Sequence, residues 1–498
     1  MSGSTIIIVI LMVVYALAVL GIGQYANKKT GLGRSEYYVA GGGLGTITIF
    51  FTYLATYIST YGFIGLSAVY FSWGIEWLWF ESMFYPTLIV PLTIFFGLRF
   101  YKLGKMHGYV TNADLIAHRL DSEGPVRVWV GLVMIVFPSI FYVGIQLIAM
   151  GAILSGLTGG EISHTFVVLF FAVVMVAYII LGGMRSVAYT DVFQGITMLL
   201  IIAVSIALVY ANFGGFGEMF RLAGASEHAW IFERTLPPQY FYPALIMVGI
   251  VWGGLIPHLW VRFYAANSIK GVYAAGTAAG VGGALMYALM PLIIGTALAA
   301  YYPSVPEVAV TEQFVSMMFS DWMGPVLTAV LMFGLVAAGK STADAILLNL
   351  SSILQVDILE KTLKVDWPEK RLDLAARLMC VAVIALASIG AFAPGLPIVS
   401  VAITLIWSSY SVLLIPVVIM LFWKRANKYG AMTGLVSGFV SLILFLYVIW
   451  PEWPHNPFYL WEGTLPVAIG IVTMVVVSLL TPAPSKEVLE SFYGKEGA

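Results

Sequence analysis

Charge is scarce in this chain. Only 10% of its 498 residues are Asp, Glu, Lys or Arg, while 60% are hydrophobic and mean hydropathy is +0.95. A soluble globular protein carries roughly 25% charged residues. Too few are present here to coat a water-facing surface, which excludes a soluble enzyme and a disordered chain alike. The net charge of −1 provides no basic field for a polyanion, so nucleic acid is excluded as a partner. A single cysteine, Cys380, builds neither a disulfide framework nor a thiolate metal cage. No nucleophile–base pair or phosphate-cradling glycine loop is evident, so no reaction chemistry is indicated. What remains is an all-α polytopic membrane protein whose solvent is the lipid bilayer.

A spanning helix needs about 20 predominantly apolar residues. Breaks at Gly, Pro and charged positions divide the chain into about thirteen such segments. They lie near 4–26, 43–72, 75–99, 128–155, 162–183, 187–212, 241–264, 271–301, 322–355, 374–394, 396–423, 429–450 and 464–481. The first has no basic leader and is longer than a signal-peptide core, so it reads as a retained helix. With the N-terminus outside, all 24 Lys and Arg except Arg221, Arg234 and Lys340 fall in cytoplasmic segments. The positive-inside rule therefore predicts a multi-pass cell-membrane protein, N-terminus outside and C-terminus cytoplasmic.

Two spans are interrupted near their centres. Span two breaks around Ala55, Thr56, Tyr57, Ile58, Ser59 and Thr60; span seven breaks around Trp252, Gly253, Gly254, Leu255, Ile256 and Pro257. Broken helices are tolerated in a bilayer only where they face protein or a water-filled cavity. Matching breaks in two halves point to an inverted-repeat transporter, although close helix packing at small residues would also use them. The two spans lie five apart, and an odd count reverses the orientation of the second repeat. The expected organisation is an extra helix and first cytoplasmic loop (1–42), repeat one (43–212) and an external loop (213–240). Repeat two (241–423), two extra helices (424–481) and a cytoplasmic tail (482–498) follow. The external loop, with Trp230 and Phe232, is expected to fold as a short lid.

Four stretches, in order, resemble one family. Leu181-Gly182-Gly183-Met184-Arg185-Ser186, with Thr190-Asp191 and Gln194 beyond it, is similar to the Gly-Gly signature of the sodium:solute symporters. Tyr37 to Gly45 resembles the lead into their first core helix. Pro257-His258 with Arg262 and Ala265-Ala266 resembles the end of the sixth core helix, and Ala338 to Asp357 the eighth. Ile256-Pro257-His258 resembles members carrying proline, pantothenate or monocarboxylates more than sugar carriers, which typically have an Asn-Gln-containing stretch there. Proline carriers place aromatic residues where this chain has Gly249 and Gly253, which implies a differently shaped pocket. The resemblance implies a five-plus-five inverted-repeat (LeuT-type) core. It also implies sodium-coupled symport, by alternating access, of a small carboxylate-bearing organic solute.

The same resemblance implies a site for Na+ made of the carbonyls of Ala55, Ile58 and Ala338 and the hydroxyls of Ser341 and Thr342. Hard cations take oxygen ligands, and positions 338, 341 and 342 share one helical face. Hydroxyls bonding back along their own helix would explain the pair as well. Some members hold a second sodium through residues matching Asp191, Ser341, Asp344 and Ala345 and a tyrosine. This chain has Asp344 and Ala345 where hydroxyls are expected, and Phe171 where the tyrosine is expected.

Mid-membrane charges cost about 2.5–3.5 kcal/mol on insertion scales and mark function. Lys340 and Asp344 are spaced to pair along one helix. Lys340 points roughly 160° away from the centre of the Ala338, Ser341 and Thr342 face. The expectation is that its ammonium lies between Asp344 and Asp191 and does the electrostatic work of a second cation. A static ion pair and a proton-coupled or uncoupled carrier using the same three residues stay open, as, more remotely, do a channel and a sensor. Solute-lining candidates at the midplane are Tyr57, Thr60, Gln146 and Trp252. Glu81 reads equally as an attractor of a cationic solute from outside and as a snorkelling or water-exposed acid. His258 reads as packing near the cytoplasmic end of its helix.

Overall fold

The computed structural model describes residues 1–75, 85–233, 246–302, 311–392, 401–449 and 460–494. Glu81, Arg234 and Lys495 lie outside the described residues. Helix α1 (Gly3–Asn27) starts at Ser2, whose side chain accepts from the Thr5 N–H. Helix α2 (Thr46–Tyr57) stops where Ile58 turns to an extended ψ of 121°, and α3 (Leu66–Trp73) continues beyond the break. Their apolar parts meet at 47° as one bent span. Helix α4 (Val90–His107) leads to the short α5 (Asn112–Leu120), which opens on a capping box between Thr111 and Asp114. Helix α6 (Gly124–Leu157) follows.

Helix α7 (His164–Phe213) runs for 50 residues. Straight, it would measure about 75 Å, more than twice the roughly 30 Å of hydrocarbon. It holds two crossings, the expected spans five and six, divided at Gly183 (φ 52°, ψ −133°). A side chain there would meet the Tyr37 carbonyl as well as the backbone penalty. Of the segment expected to be an external loop, Phe216–Ala225 forms α8. Past it, the His228 ring sits 4.6 Å from that of Phe71 near the C-terminal end of α3.

The second half repeats the plan. Helix α9 (Ile246–Ala265) is broken at Gly253 (φ −68°, ψ 36°) and Gly254 (φ 96°, ψ 5°), and Pro257 starts its second segment. Helices α10 (Ile269–Tyr301), α11 (Phe314–Thr362), α12 (Glu369–Ala391) and α13 (Thr404–Phe422) complete it. Then come α14 (Lys428–Ile449), α15 (Thr464–Leu480) and the tail helix α16 (Lys486–Tyr493). With α7 taken as two crossings and the bent pair as one, the described helices account for twelve of the thirteen expected spans, and the shorter apolar α15, of 17 residues, falls at the thirteenth.

Helix α11 is the axis of the bundle. Every residue from Leu331 to Leu350 is buried, as expected of a helix surrounded on all sides, and α2, α6, α7 and α12 pack against it. The two halves are stitched where α2 begins and α9 ends. The Leu44 N–H donates to the Ala265 carbonyl at 3.0 Å, and the Asn267 N–H to the Leu44 carbonyl at 2.9 Å. On the same face, Arg127 gathers Asp114 (2.8 Å), Glu123 (2.6 Å) and Asp357 (2.5 Å).

Candidate sodium and solute site

The last carbonyls of a helix have no partner inside it, so the stop at Tyr57 releases four in mid-bundle. Each is met by a hydroxyl from another helix. Ser341 Oγ donates to the Ala55 carbonyl at 2.6 Å. Thr342 Oγ1 lies 3.1 Å from the Thr56 carbonyl and 3.3 Å from that of Ile58. The Tyr287 hydroxyl donates to the Tyr57 carbonyl at 2.7 Å. Ser341 and Thr342 also reach back to the Ala338 carbonyl, at 2.9 and 3.2 Å. The geometry thus brings together the oxygens of Ala55, Ile58, Ala338, Ser341 and Thr342, all fully buried. A hydroxyl carries lone pairs besides its hydrogen. Rotation of two O–H bonds turns this hydrogen-bonded cluster into a neutral, all-oxygen cradle suited to a small monovalent cation.

Beside the cradle lie four buried charges, arranged differently from the sequence expectation. Lys340 Nζ is 2.7 Å from Asp344 and 3.8 Å from the centre of the Tyr178 ring, and the Tyr178 hydroxyl donates to Asp344. Lys340 therefore does not bridge Asp344 to Asp191. Asp191 has its own cation, Arg262, at 3.4 Å, and accepts from Thr52 at 2.5 Å. Arg262 also donates to Thr56 Oγ1 (2.5 Å), Thr52 Oγ1 (3.2 Å) and the His258 carbonyl (2.5 Å). This arginine was counted with the cytoplasmic residues, but its side chain is fully buried and faces the bundle core. The hydroxyl missing at Phe171 is supplied two turns later by Tyr178.

The solute candidates fall into two groups. Tyr57 and Trp252 join an aromatic cluster in which Trp252 lies 5.0 Å from Tyr57, 5.6 Å from Tyr287 and 4.8 Å from Trp407, and Tyr142 lies 5.2 Å from Trp407. His258 packs 5.7 Å from Tyr142 just after the α9 break, and so belongs to this cluster rather than to the cytoplasmic end. Among the described residues no group of three His, Cys, Asp or Glu could hold a metal ion. In the second group, Thr60 donates to Gln146 Oε1 at 2.6 Å, which leaves the buried Gln146 Nε2 without an acceptor. The pair rests on α11 where Gly339 has no side chain; a Cβ there would stand 3.0 Å from Thr60 and 3.3 Å from Gln146.

The description of the sodium:solute symporter family matches residues 37–438. The chain belongs to that family. This symporter is 27% identical over 484 residues to the high-affinity proline transporter of Bacillus subtilis, covering 95% of its own length and 98% of the relative's. It is 24% identical over 452 residues to the sodium/pantothenate symporter of Escherichia coli, covering 86% and 89%. Among solved structures it resembles a Na+-coupled sialic acid symporter, with a TM-score of 0.78 at 18% identity over 96% of this chain and 99% of that one. A nucleobase-cation-symport-1 family transporter matches with a TM-score of 0.53 at 14% identity, covering 92% and 97%. The fold is the five-plus-five inverted-repeat core, and sodium is the coupling ion.

Sequence reasoning about the symporter missed Arg262, Thr52, Thr56, Tyr178, Tyr142, Tyr287 and Trp407. Thr52 and Thr56 stand four apart on α2 and so share one face, a signal that was present. Tyr178 lies seven residues from Phe171, on the same helical face. Nothing local distinguishes Arg262, whose position satisfies the positive-inside count as a loop residue would.

Proposed function

We propose that one sodium ion occupies the cradle of Ala55, Ile58, Ala338, Ser341 and Thr342. The solute it drives would be a small carboxylate-bearing one, seated between the breaks of α2 and α9. The convergence of five neutral oxygens on the α2 break carries this reading. Sodium there ties α2 to α11 and favours one arrangement of the two repeats; its departure releases them, which is how ion binding gates alternating access. The solute's flat or apolar body lies against Tyr57, Tyr142, Trp252, Tyr287 and Trp407. Its carboxylate takes the N–H of Gln146 Nε2, which Thr60 holds in place beside α11. The two named relatives carry proline and pantothenate, both carboxylates, which supports the class. The basic-residue distribution supports an N-terminus outside in the cell membrane. Because the sole cysteine, Cys380, is buried, cysteines introduced at Ser2 and Lys486 test that orientation with impermeant labels.

A thermal-shift screen of amino acids, vitamins and monocarboxylates, with and without sodium, tests the solute class. Binding at a hundredfold excess over Kd stabilises by about 2.7 kcal/mol. Carboxylates should raise Tm only when sodium is present. Stabilisation by sugars or by amines lacking a carboxylate, with none by carboxylates, would overturn the assignment.

A further inference from the structure

Beside the cradle, the described residues place two buried carboxylates and two buried cations, and each carboxylate has its own. We infer that Lys340 and Arg262 are tethered cations occupying the places where a second sodium would bind, so that this symporter binds one sodium and not two. The inference rests on the Ser341–Thr342 cradle being the sodium site.

Charge balance decides between one ion and two. Asp191, Arg262, Lys340 and Asp344 are all fully buried. A buried carboxylate must be paired or it draws in a cation or a proton. Asp344 has the Lys340 ammonium at 2.7 Å, and Asp191 has the Arg262 guanidinium at 3.4 Å. These four sum to zero, so a further ion placed among them would be desolvated with no uncompensated charge to attract it. The Ala55–Thr342 cradle is different, because all its ligands are uncharged; an ion there brings the only positive charge that can leave.

The two tethers differ in kind. Lys340 and Asp344 sit on consecutive turns of α11, so their contact travels with that helix. Tyr178 adds a ring 3.8 Å from the ammonium, which favours a cation further. Arg262 instead joins α9 to α7 and α2. Both carboxylates keep one buried oxygen, Asp191 Oδ1 and Asp344 Oδ1, without a hydrogen-bond partner among the described residues. Those oxygens are where a sodium would gain ligands if a tether were removed.

Equilibrium binding of radiolabelled sodium to the purified full-length protein at pH 8 tests this without knowledge of the solute. The wild type should bind one sodium per chain with a Hill coefficient near one. Lys340→Met leaves Asp344 uncompensated and should bind two. The neutral pair Lys340→Met/Asp344→Asn should return to one. Two sodium ions in the wild type, or one in folded Lys340→Met, would overturn the inference. Should Lys340→Met fail to fold, two ions in the wild type or the double variant overturns it just as well. Thr342→Val separates the underlying assumption, because Thr342 reaches the carbonyls of the cradle and is not among the residues matching a second site. Loss of the single sodium upholds the cradle as its site, whereas undiminished binding refutes the cradle itself, whatever the stoichiometry of the other variants.

Discussion

Substituting Ser341 by alanine removes one oxygen from the cradle and nothing else of size. The hydroxyl stands 2.6 Å from the Ala55 carbonyl and 2.9 Å from that of Ala338. Ala338 keeps Thr342 at 3.2 Å, so its carbonyl stays satisfied, while that of Ala55 loses the Ser341 hydroxyl. A contact between a polar group and a full charge contributes about 1.5–3 kcal/mol. Loss of one such ligand should weaken sodium roughly 10- to 150-fold, at 1.4 kcal/mol per factor of ten. The structural cost works the other way: in the sodium-free protein the unmet Ala55 carbonyl costs about 1–3 kcal/mol of stability and lowers the folded yield, and because bound sodium would satisfy that carbonyl, the roughly 10- to 150-fold figure is an upper bound. The assay is therefore sodium activation of uptake in proteoliposomes, read as the half-saturating concentration, which does not depend on the amount of active protein. Thr342→Val should behave similarly. Ser351→Ala is the control, because Ser351 is buried on the same helix but donates to Tyr38 at 3.2 Å, away from the cradle. A half-saturating sodium concentration unchanged in Ser341→Ala, or shifted equally in Ser351→Ala, would refute the reasoning.

Arg262→Met should destabilise the protein by about 3–5 kcal/mol, since it leaves Asp191 buried and unpaired. Adding Asp191→Asn should recover part of this, and equal unfolding temperatures for the single and double variants would contradict it. Gly183→Ala should lower the unfolding temperature, because alanine pays for a positive φ of 52° and its methyl group meets the Tyr37 carbonyl. An unchanged melting curve would show that the α7 turn relaxes freely. The tail helix should detach on acidification. Burial, and then the neighbouring His107, hold the His118 pKa below its ordinary value while Glu123 and Asp121 oppose them, and its Nε2 contacts Ser491 of α16 at 2.9 Å. The docked state therefore favours neutral His118. Docking is strongest above the free pKa of about 6.5 and weakens as pH falls through it. Protection factors of the amides over 486–493, which remove the intrinsic pH dependence of exchange, should be lower at pH 5.5 than at pH 7.5, and higher ones at pH 5.5 would reverse the sign.

What could be read from the sequence was local. Ala338, Ser341 and Thr342 share a face by spacing alone, and Lys340 meets Asp344 because four residues make one helical turn. The partner of Asp191 is 71 positions away, on a helix whose rotation no spacing rule sets, and Arg262 satisfied the topology count whether it faced water or the core. A topology rule counts charges by side of the membrane and is blind to depth, so it hid that Arg262 turns into the core. The same blindness explains Tyr178: helix periodicity placed it on the face of Phe171, but which of the two reaches Asp344 depends on how α7 slides along α11. The break in α2 was legible, and its consequence was not. Stopping a helix in mid-bundle obliges the surrounding helices to supply donors for the carbonyls it frees. Thr342 does so for Thr56 and Ile58, and Thr56 in turn accepts from Arg262 through its side chain. One threonine thus faces the sodium cradle with its carbonyl and the charged cluster with its hydroxyl. Any movement of α2 that opens the cradle must also disturb the Arg262 contact, so with sodium in the proposed site its release and the separation of α9 from α2 would be joined mechanically at Thr56.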